Sequence, residues 1–298
     1  MAKKKPPVID APLPFPVPET DPELSTVDPD EVTPATVEVF AVGSRAKGYL
    51  EDPVDPRDFV ADALFGAPVG VPKEFSLEKY IRKIRNQEQT NSCVGHGLWA
   101  AVQIREQILG MNSGESSPMG FYGLARMLGK LSREEQLVDE GAYPRLAMKG
   151  IREWGIPLEA KWPFDPSKVN QELPWDVLQQ ASATKISAWY RIDSIGQGRV
   201  NGVMQAISKG YPVSFGTNVD AVYEEWNGKG VIGPRAGRSL GGHYTTIVGY
   251  RTERDGSVSF QFQQSWGTGW GQNGLGWLCE QRITSLESRD FNVMVLGG

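Results

Sequence analysis

The sequence predicts an α+β fold with two lobes and an extended arm at the N-terminus. Helical patterns come first in the globular part of the chain and short strand patterns follow, an order typical of α+β proteins. An apolar content of 40% and nine tryptophans among 298 residues provide for a substantial core. We expect an arm over residues 1–45 and one domain over 46–298, with a helical lobe at about 84–185 and a β lobe at about 186–298.

The arm is defined by prolines, which exclude helix and central strand. They are Pro6, Pro7, Pro12, Pro14, Pro16, Pro18, Pro22, Pro29 and Pro34. A free solvated tail, a docking strap and a propeptide are all open interpretations. Residues 37–42 alternate weakly between apolar and polar and could add one strand.

Three helices are expected in the first half of the domain. Apolar residues recur near every 3.6 positions over 92–109, which predicts a buried helix with Cys93 in its first turn, capped by Ser92 or Asn91. Further helices are expected over residues 118–128 and 145–154.

Four short segments bounded by Gly, Pro and Asn predict strands in the second half. They cover residues 213–215, 243–250, 258–264 and 275–278.

Charge and composition exclude several functions. The net charge of -5 provides no basic face for nucleic acid. No stretch approaches the ~18 apolar residues of a membrane span, and the early prolines interrupt any signal peptide. The two histidines, His96 and His243, are too far apart to suggest a metal site, so we expect neither metal nor cofactor.

Cys93 and His243 are the candidate reactive pair. A thiol at a helix N-terminus has a lowered pKa, and the polar loop before Cys93 predicts that it is exposed. His243 follows two glycines at the start of a strand. Each residue taken alone is also compatible with a purely structural role: Cys93 as a small buried apolar residue, and His243 as a hydrogen-bonded histidine at a strand edge.

A third segment, residues 264–274, is dense in Gly and Trp. With the Cys93 and His243 segments, in this order, it resembles the papain family of cysteine peptidases. The resemblance implies a two-lobed fold, with Cys93 as nucleophile and His243, 150 residues later, as its base. It also implies an oxyanion hole made by the Gln87 side chain and the Cys93 N–H.

The resemblance assigns further residues around the nucleophile. Trp266 and Trp270 match tryptophans that shield the histidine. Expected substrate contacts come from the glycine-rich edge and from the residues beside the histidine, namely Gly141, Ala142, Tyr143, Gly242 and Tyr244.

The sequence departs from the papain pattern in several places. Gln264 stands where the family has an asparagine that orients the histidine, and its extra methylene shifts the amide by roughly 1.5 Å. The usual disulfide partner just before the nucleophile is absent, and Thr90 stands near its place, so we expect Cys279 to be an unpaired cysteine. His96, one helical turn beyond Cys93, could approach the thiol.

Two functions follow. The first is a thiol-dependent peptide-bond hydrolase acting on peptides or proteins. The second is a weakly active or inactive papain-fold structural or binding component, strapped through residues 1–45 to a larger assembly such as a phage virion. The lead-in over residues 49–58 is similar to bacterial and phage members. The absence of the usual disulfide fits a reducing compartment, and we expect a cytoplasmic or virion-associated protein. A plugged groove between the lobes would argue against the first function.

Overall fold

A computed structural model describes residues 45–65, 70–130, 132 and 134–297. The predicted strand at 37–42 and the proline-rich part of the arm lie outside these residues. Within them the chain forms an α+β structure. Most of the helices come before most of the strands in the chain, and the strands form an antiparallel sheet.

The described helices run in chain order from α1 to α8. They are α1 (Asp62–Phe65), α2 (Cys93–Leu109), α3 (Pro118–Gly129), α4 (Pro144–Glu153), α5 (Trp175–Ala181), α6 (Gly196–Ser208), α7 (Ala221–Glu224) and α8 (Glu280–Thr284).

The described strands form one sheet of seven. They are β1 (Glu74–Ser76), β2 (Ile186–Arg191), β3 (Val213–Val219), β4 (Gly241–Thr252), β5 (Val258–Gln263), β6 (Leu275–Cys279) and β7 (Ser288–Leu296). Their order is β2-β7-β3-β4-β5-β6, with β1 beside β4, and every pairing is antiparallel.

Helix α2 is the central helix and is buried on nearly all sides. It packs on α3 and on strand β4. Gly97 permits the contact with β4, because a Cβ there would lie 2.8 Å from the ring of Tyr244. The Thr246 hydroxyl donates to the Gly97 carbonyl at 2.6 Å, which fixes the helix on the strand. The start of α2 is thereby held beside the start of β4.

The three predicted helices and four predicted strands are present, with strands longer than expected at 213–219 and 241–252. The remaining elements were not predicted, among them helix α6 and strand β7. Helix α6 carries three glycines, which lower helix propensity, and it is held by burying Val200, Val203 and Ile207. Tertiary packing outweighs local preference there.

Candidate active site

Cys93 opens helix α2 and is fully buried. Neither predicted cap operates. Ser92 occupies the N-cap position, but its hydroxyl contacts Thr90 Oγ1 at 2.6 Å and His96 Nδ1 at 3.1 Å instead of a helix amide. The Asn91 side chain donates to the Asp139 carbonyl at 2.6 Å. Both side chains have other partners, so neither one caps the N-terminus of the helix.

His243 lies near the start of β4, opposite Thr217 of β3, and is also fully buried. Its Nε2 lies 2.5 Å from Gln264 Oε1. The Trp266 ring covers the imidazole with centroids 4.6 Å apart, and Trp270 packs edge-on against Trp266. The side chain that replaces the family asparagine therefore reaches the histidine.

The Gln264 amide has a fixed orientation. Its Oε1 accepts the Ser265 N–H at 2.9 Å, and its Nε2 donates to the Tyr223 hydroxyl at 3.2 Å. A carbonyl oxygen only accepts, so a neutral His243 carries its proton on Nε2 and keeps a lone pair on Nδ1. Nδ1 is buried and has no hydrogen-bond partner in the described part of the chain.

The thiol and the imidazole are both held neutral. Burial raises the pKa of Cys93 to about 12, although N–H groups of Tyr244 and Val94 oppose this. Burial, helped by the positive charge of Lys47, lowers the pKa of His243 to about 3, although the hydrogen bond to Gln264 opposes the shift. The expectation of an exposed, activated thiol is wrong for this conformation, because other parts of the chain cover it.

The cover is residues 45–52, here called the cleft segment. Ala142 N–H donates to Gly48 O at 2.9 Å, and Leu50 N–H donates to Ala142 O at 3.1 Å. Tyr49 N–H donates to Gly242 O at 3.2 Å. The segment thus pairs with the backbone of two residues predicted to contact substrate, and Gly141 closes against Gly48.

The Gln87 side chain, predicted for the oxyanion hole, faces the same segment. Its Nε2 donates to the carbonyls of Ala46 at 3.2 Å, Lys47 at 3.3 Å and Thr90 at 2.8 Å. Its Oε1 accepts the Ser265 hydroxyl at 2.6 Å. The amide is therefore oriented as a donor toward peptide carbonyls.

Lys47 is buried beside Cys93 and His243. Its Nζ donates to Arg45 O at 2.7 Å and forms an ion pair with Glu224 Oε2 at 3.4 Å. The Arg45 N–H donates to the other Glu224 oxygen. Burial lowers the pKa of Lys47, and the carboxylate of Glu224 opposes that effect. This ion pair anchors one end of the cleft segment.

Tyr49 anchors the other end. Its ring lies against Gly216 and Gly242 and is 5.7 Å from the Tyr244 ring. Its hydroxyl donates to Asp290 Oδ2 at 2.6 Å.

Tyr143, also predicted to contact substrate, is further out. It precedes helix α4 and is partly exposed. With Leu50 it lines an open cavity of about 170 Å³.

The sequence also singled out His96 and Cys279. His96 Nδ1 lies 3.0 Å from the Ser92 carbonyl, its ring packs on Phe164, and burial lowers its pKa to about 4. Cys93 and Cys279 are both free cysteines. The described residues contain no cluster of three possible metal ligands, and no helix among them is long and apolar enough to cross a bilayer.

Sequence reasoning missed four residues of the site: Lys47, Tyr49, Glu224 and Asp290. Tyr49 falls in the lead-in that was singled out, but nothing in its pattern indicates that it turns into the groove. Asp290 shows no motif at all. Its position becomes visible only through the pairing of strand β7 with β3.

An α+β fold with a thiol at the start of its central helix, and with an amide-bound histidine on the facing strand, defines the class of papain-like cysteine proteases. The family model for papain family cysteine proteases matches residues 71–291. The chain belongs to the papain family.

Individual relatives are distant. An uncharacterised peptidase C1-like protein of Acanthamoeba polyphaga mimivirus is 26% identical over 263 residues, covering 78% of this chain and 80% of that protein. Xylellain, a cysteine protease from Xylella fastidiosa, has a TM-score of 0.68 at 22% identity, covering 86% of this chain and 98% of xylellain. Digestive procathepsin L 3 of Tenebrio molitor larval midgut has a TM-score of 0.64 at 15% identity, covering 84% of this chain and 76% of the procathepsin.

Proposed function

We propose that this protein is a thiol peptidase held latent by its own cleft segment. The observation that carries the proposal is the contact between His243 Nε2 and Gln264 Oε1, which leaves Nδ1 as the basic nitrogen. A papain-family chain that keeps an oriented imidazole near a helix-terminal cysteine has the parts for acyl transfer.

The proposed reaction begins when the cleft segment leaves the groove. His243 Nδ1 takes the Cys93 proton, and the thiolate attacks a peptide carbonyl to form the C–S bond. The Gln87 amide and the Cys93 N–H stabilise the oxyanion. The imidazolium then protonates the amine as the C–N bond breaks, and water hydrolyses the thioester and restores the thiol.

Release of the segment should also shift the pKa values of Cys93 and His243 in the direction that activates them. The burial that raises the pKa of Cys93 and lowers that of His243 comes partly from the segment, and Lys47 adds a positive charge beside the imidazole. Removing both effects moves the two pKa values toward each other, which favours the thiolate–imidazolium pair.

The occupied groove also favours a second candidate function. A papain-fold component that never releases its segment would be inactive, and could serve a larger assembly through residues 1–45. One relative is a viral protein, which fits the suggestion of a virion. The ion pair between Lys47 and Glu224, which anchors one end of the segment, allows the two functions to be separated.

The test replaces Lys47 with glutamate in the full chain. A carboxylate beside Glu224 should expel the segment, and Cys93 should react with iodoacetamide at pH 8 at least about tenfold faster, since each unit of fall in pKa raises the thiolate fraction about tenfold. The same variant should cleave members of a mixed peptide library, detected by mass spectrometry, and adding Cys93→Ser should abolish cleavage.

Lys73→Glu, an equal charge change at an exposed position, is the matched control and should change neither rate. A Lys47→Glu chain whose thiol reacts rapidly but which cleaves no peptide would favour the second candidate. A thiol that stays as slow as in the unaltered chain would refute latency through this segment.

A further inference from the structure

The pocket that holds Tyr49 is formed by two glycines and an aromatic ring. Gly216 forms its wall, and a Cβ there would lie 2.0 Å from Tyr49 Cζ, so any larger residue would fill the space of the ring. Gly242 and the Tyr244 ring complete the apolar sides. The pocket fits a flat six-membered ring.

Asp290 forms the polar end of this pocket. Its side chain is 1% exposed, and its Oδ2 accepts both the Tyr49 hydroxyl at 2.6 Å and the Asp52 N–H at 2.8 Å. Both donors belong to the cleft segment. When the segment leaves, this oxygen loses both of these partners together.

The backbone around Asp290 is specialised for this placement. Between Arg289 and Asn292, strand β7 has one residue more than the facing stretch of β3, which makes a β-bulge. Asp290 has φ of 53°, in the left-handed region that few residues other than glycine adopt. Bulges redirect side chains and are frequent beside active sites, and such strain is kept where it serves a site.

Asp290 is suited to a neutral hydroxyl more than to a cation. Arg191 Nη2 lies 3.3 Å from its Oδ1, so the carboxylate is already paired with a guanidinium. A second cation would meet that positive charge. A phenol hydroxyl supplies one hydrogen bond without adding charge.

We propose that this pocket selects a tyrosine side chain of the substrate through Asp290, and that Tyr49 is the intramolecular stand-in for that side chain. The inference rests on the proposed peptidase function. A phenylalanine would fill the apolar part but leave the buried oxygen without its donor. A site built to bond a hydroxyl discriminates strongly against ligands that lack one.

A binding test needs no catalysis. The full chain with Tyr49→Ala has a vacant pocket, and p-cresol should bind it at least about tenfold more tightly than toluene, measured by ligand-observed NMR titration. Adding Asp290→Asn, which keeps size and tolerates the left-handed backbone, should reduce this ratio several-fold because a neutral acceptor bonds more weakly. Tyr211→Ala, at a partly buried tyrosine elsewhere, should show no such preference.

A cleavage test addresses the substrate. Peptides carrying Tyr, Phe or Arg at each position in turn should show one position where Tyr exceeds Phe in kcat/KM by roughly 10- to 100-fold on a Lys47→Glu, Tyr49→Ala chain, in which the segment has lost both side-chain anchors. Equal use of Tyr and Phe, or preference for Arg, would overturn the selectivity. Equal binding of p-cresol and toluene would overturn it even if every peptide is cleaved.

Two further results separate the failures. A chain that prefers p-cresol but cleaves no peptide retains the pocket and loses the peptidase function. If Tyr49→Ala fails to fold, Tyr49→Phe removes only the hydroxyl and should speed Cys93 alkylation several-fold. An unchanged rate there would contradict the importance of the Asp290 hydrogen bond.

Discussion

At the residue scale, the site depends on how Gln264 takes the place of an asparagine. The longer side chain reaches His243 because its amide is held at both ends, by the Ser265 N–H and by the Tyr223 hydroxyl. The positions of the Ser265 N–H, just after strand β5, and of the Tyr223 hydroxyl thus match the length of a glutamine side chain. Restoring the asparagine that is usual in the family should therefore not improve the site.

We expect Gln264→Asn, made in the Lys47→Glu, Tyr49→Ala chain, to lower kcat/KM by roughly 10- to 100-fold. The shorter side chain withdraws its oxygen by about 1.5 Å, and misplacement of about 1 Å can cost 100-fold. Steady-state kinetics with one cleaved peptide measure the effect.

Gln263→Asn is the matched control, since Gln263 donates to the Lys83 carbonyl at 3.3 Å and not to His243. Equal or higher activity of Gln264→Asn would show that the amide geometry described above is not what orients the imidazole.

At the element scale, the cleft segment is held by backbone pairing as much as by its side chains. Gly48 is the tightest point. Its φ is 112°, and a Cβ there would lie 2.1 Å from the Asn91 carbonyl oxygen. Neither the backbone angle nor the space suits any other residue.

Gly48→Ala should accordingly lift the segment from the groove. Alkylation of Cys93 by iodoacetamide at pH 8 should accelerate about tenfold or more, while Cys279, at the edge of β6, should react at an unchanged rate. Peptide mass mapping gives both rates in one sample.

Gly233→Ala provides the comparison, because a Cβ at Gly233 meets nothing within 4 Å. If Gly48→Ala leaves Cys93 as unreactive as Gly233→Ala does, the segment is not the barrier that shields the thiol.

At the scale of the whole molecule, the sequence predicted the fold and several residues that lie together at the site, but not that the groove is covered and the thiol buried. The motifs around Cys93, His243 and Trp266 occur in the order and spacing of the papain family, so the sequence predicted the family and the fold. Helix α6 was not predicted because its glycines obscure a buried apolar face. The burial of the Cys93 thiol was not predicted. The turn-rich stretch near Tyr49 has no periodicity that would indicate its contact with Asp290, about 240 residues away.

Docking of the cleft segment should also depend on pH through Asp52. This buried carboxyl accepts the Arg145 N–H at 3.0 Å. Burial and then the negative charge of Asp290 raise its pKa to about 7, while Arg145 and Arg191 oppose the shift. In the open state, exposed to water, its pKa returns to about 3.8.

Between these two values Asp52 holds more protons in the closed state than in the open state. Its contribution therefore favours the closed state below about pH 4 and is lost as pH rises to about 7, at most about tenfold per unit. His243, whose pKa is about 3 in the closed state and rises once the groove opens, contributes the opposite dependence, so the Asp52 effect is measured against Asp52→Asn. Protection of the Tyr49 and Leu50 amides against hydrogen exchange, taken as the ratio of the unaltered chain to Asp52→Asn at each pH, should fall over that range. Asp176→Asn, at an exposed position, should behave as the unaltered chain does. A ratio that is constant or that increases with pH would mean that Asp52 is ionised in the closed state, held by Arg145 and Arg191 more strongly than burial opposes it.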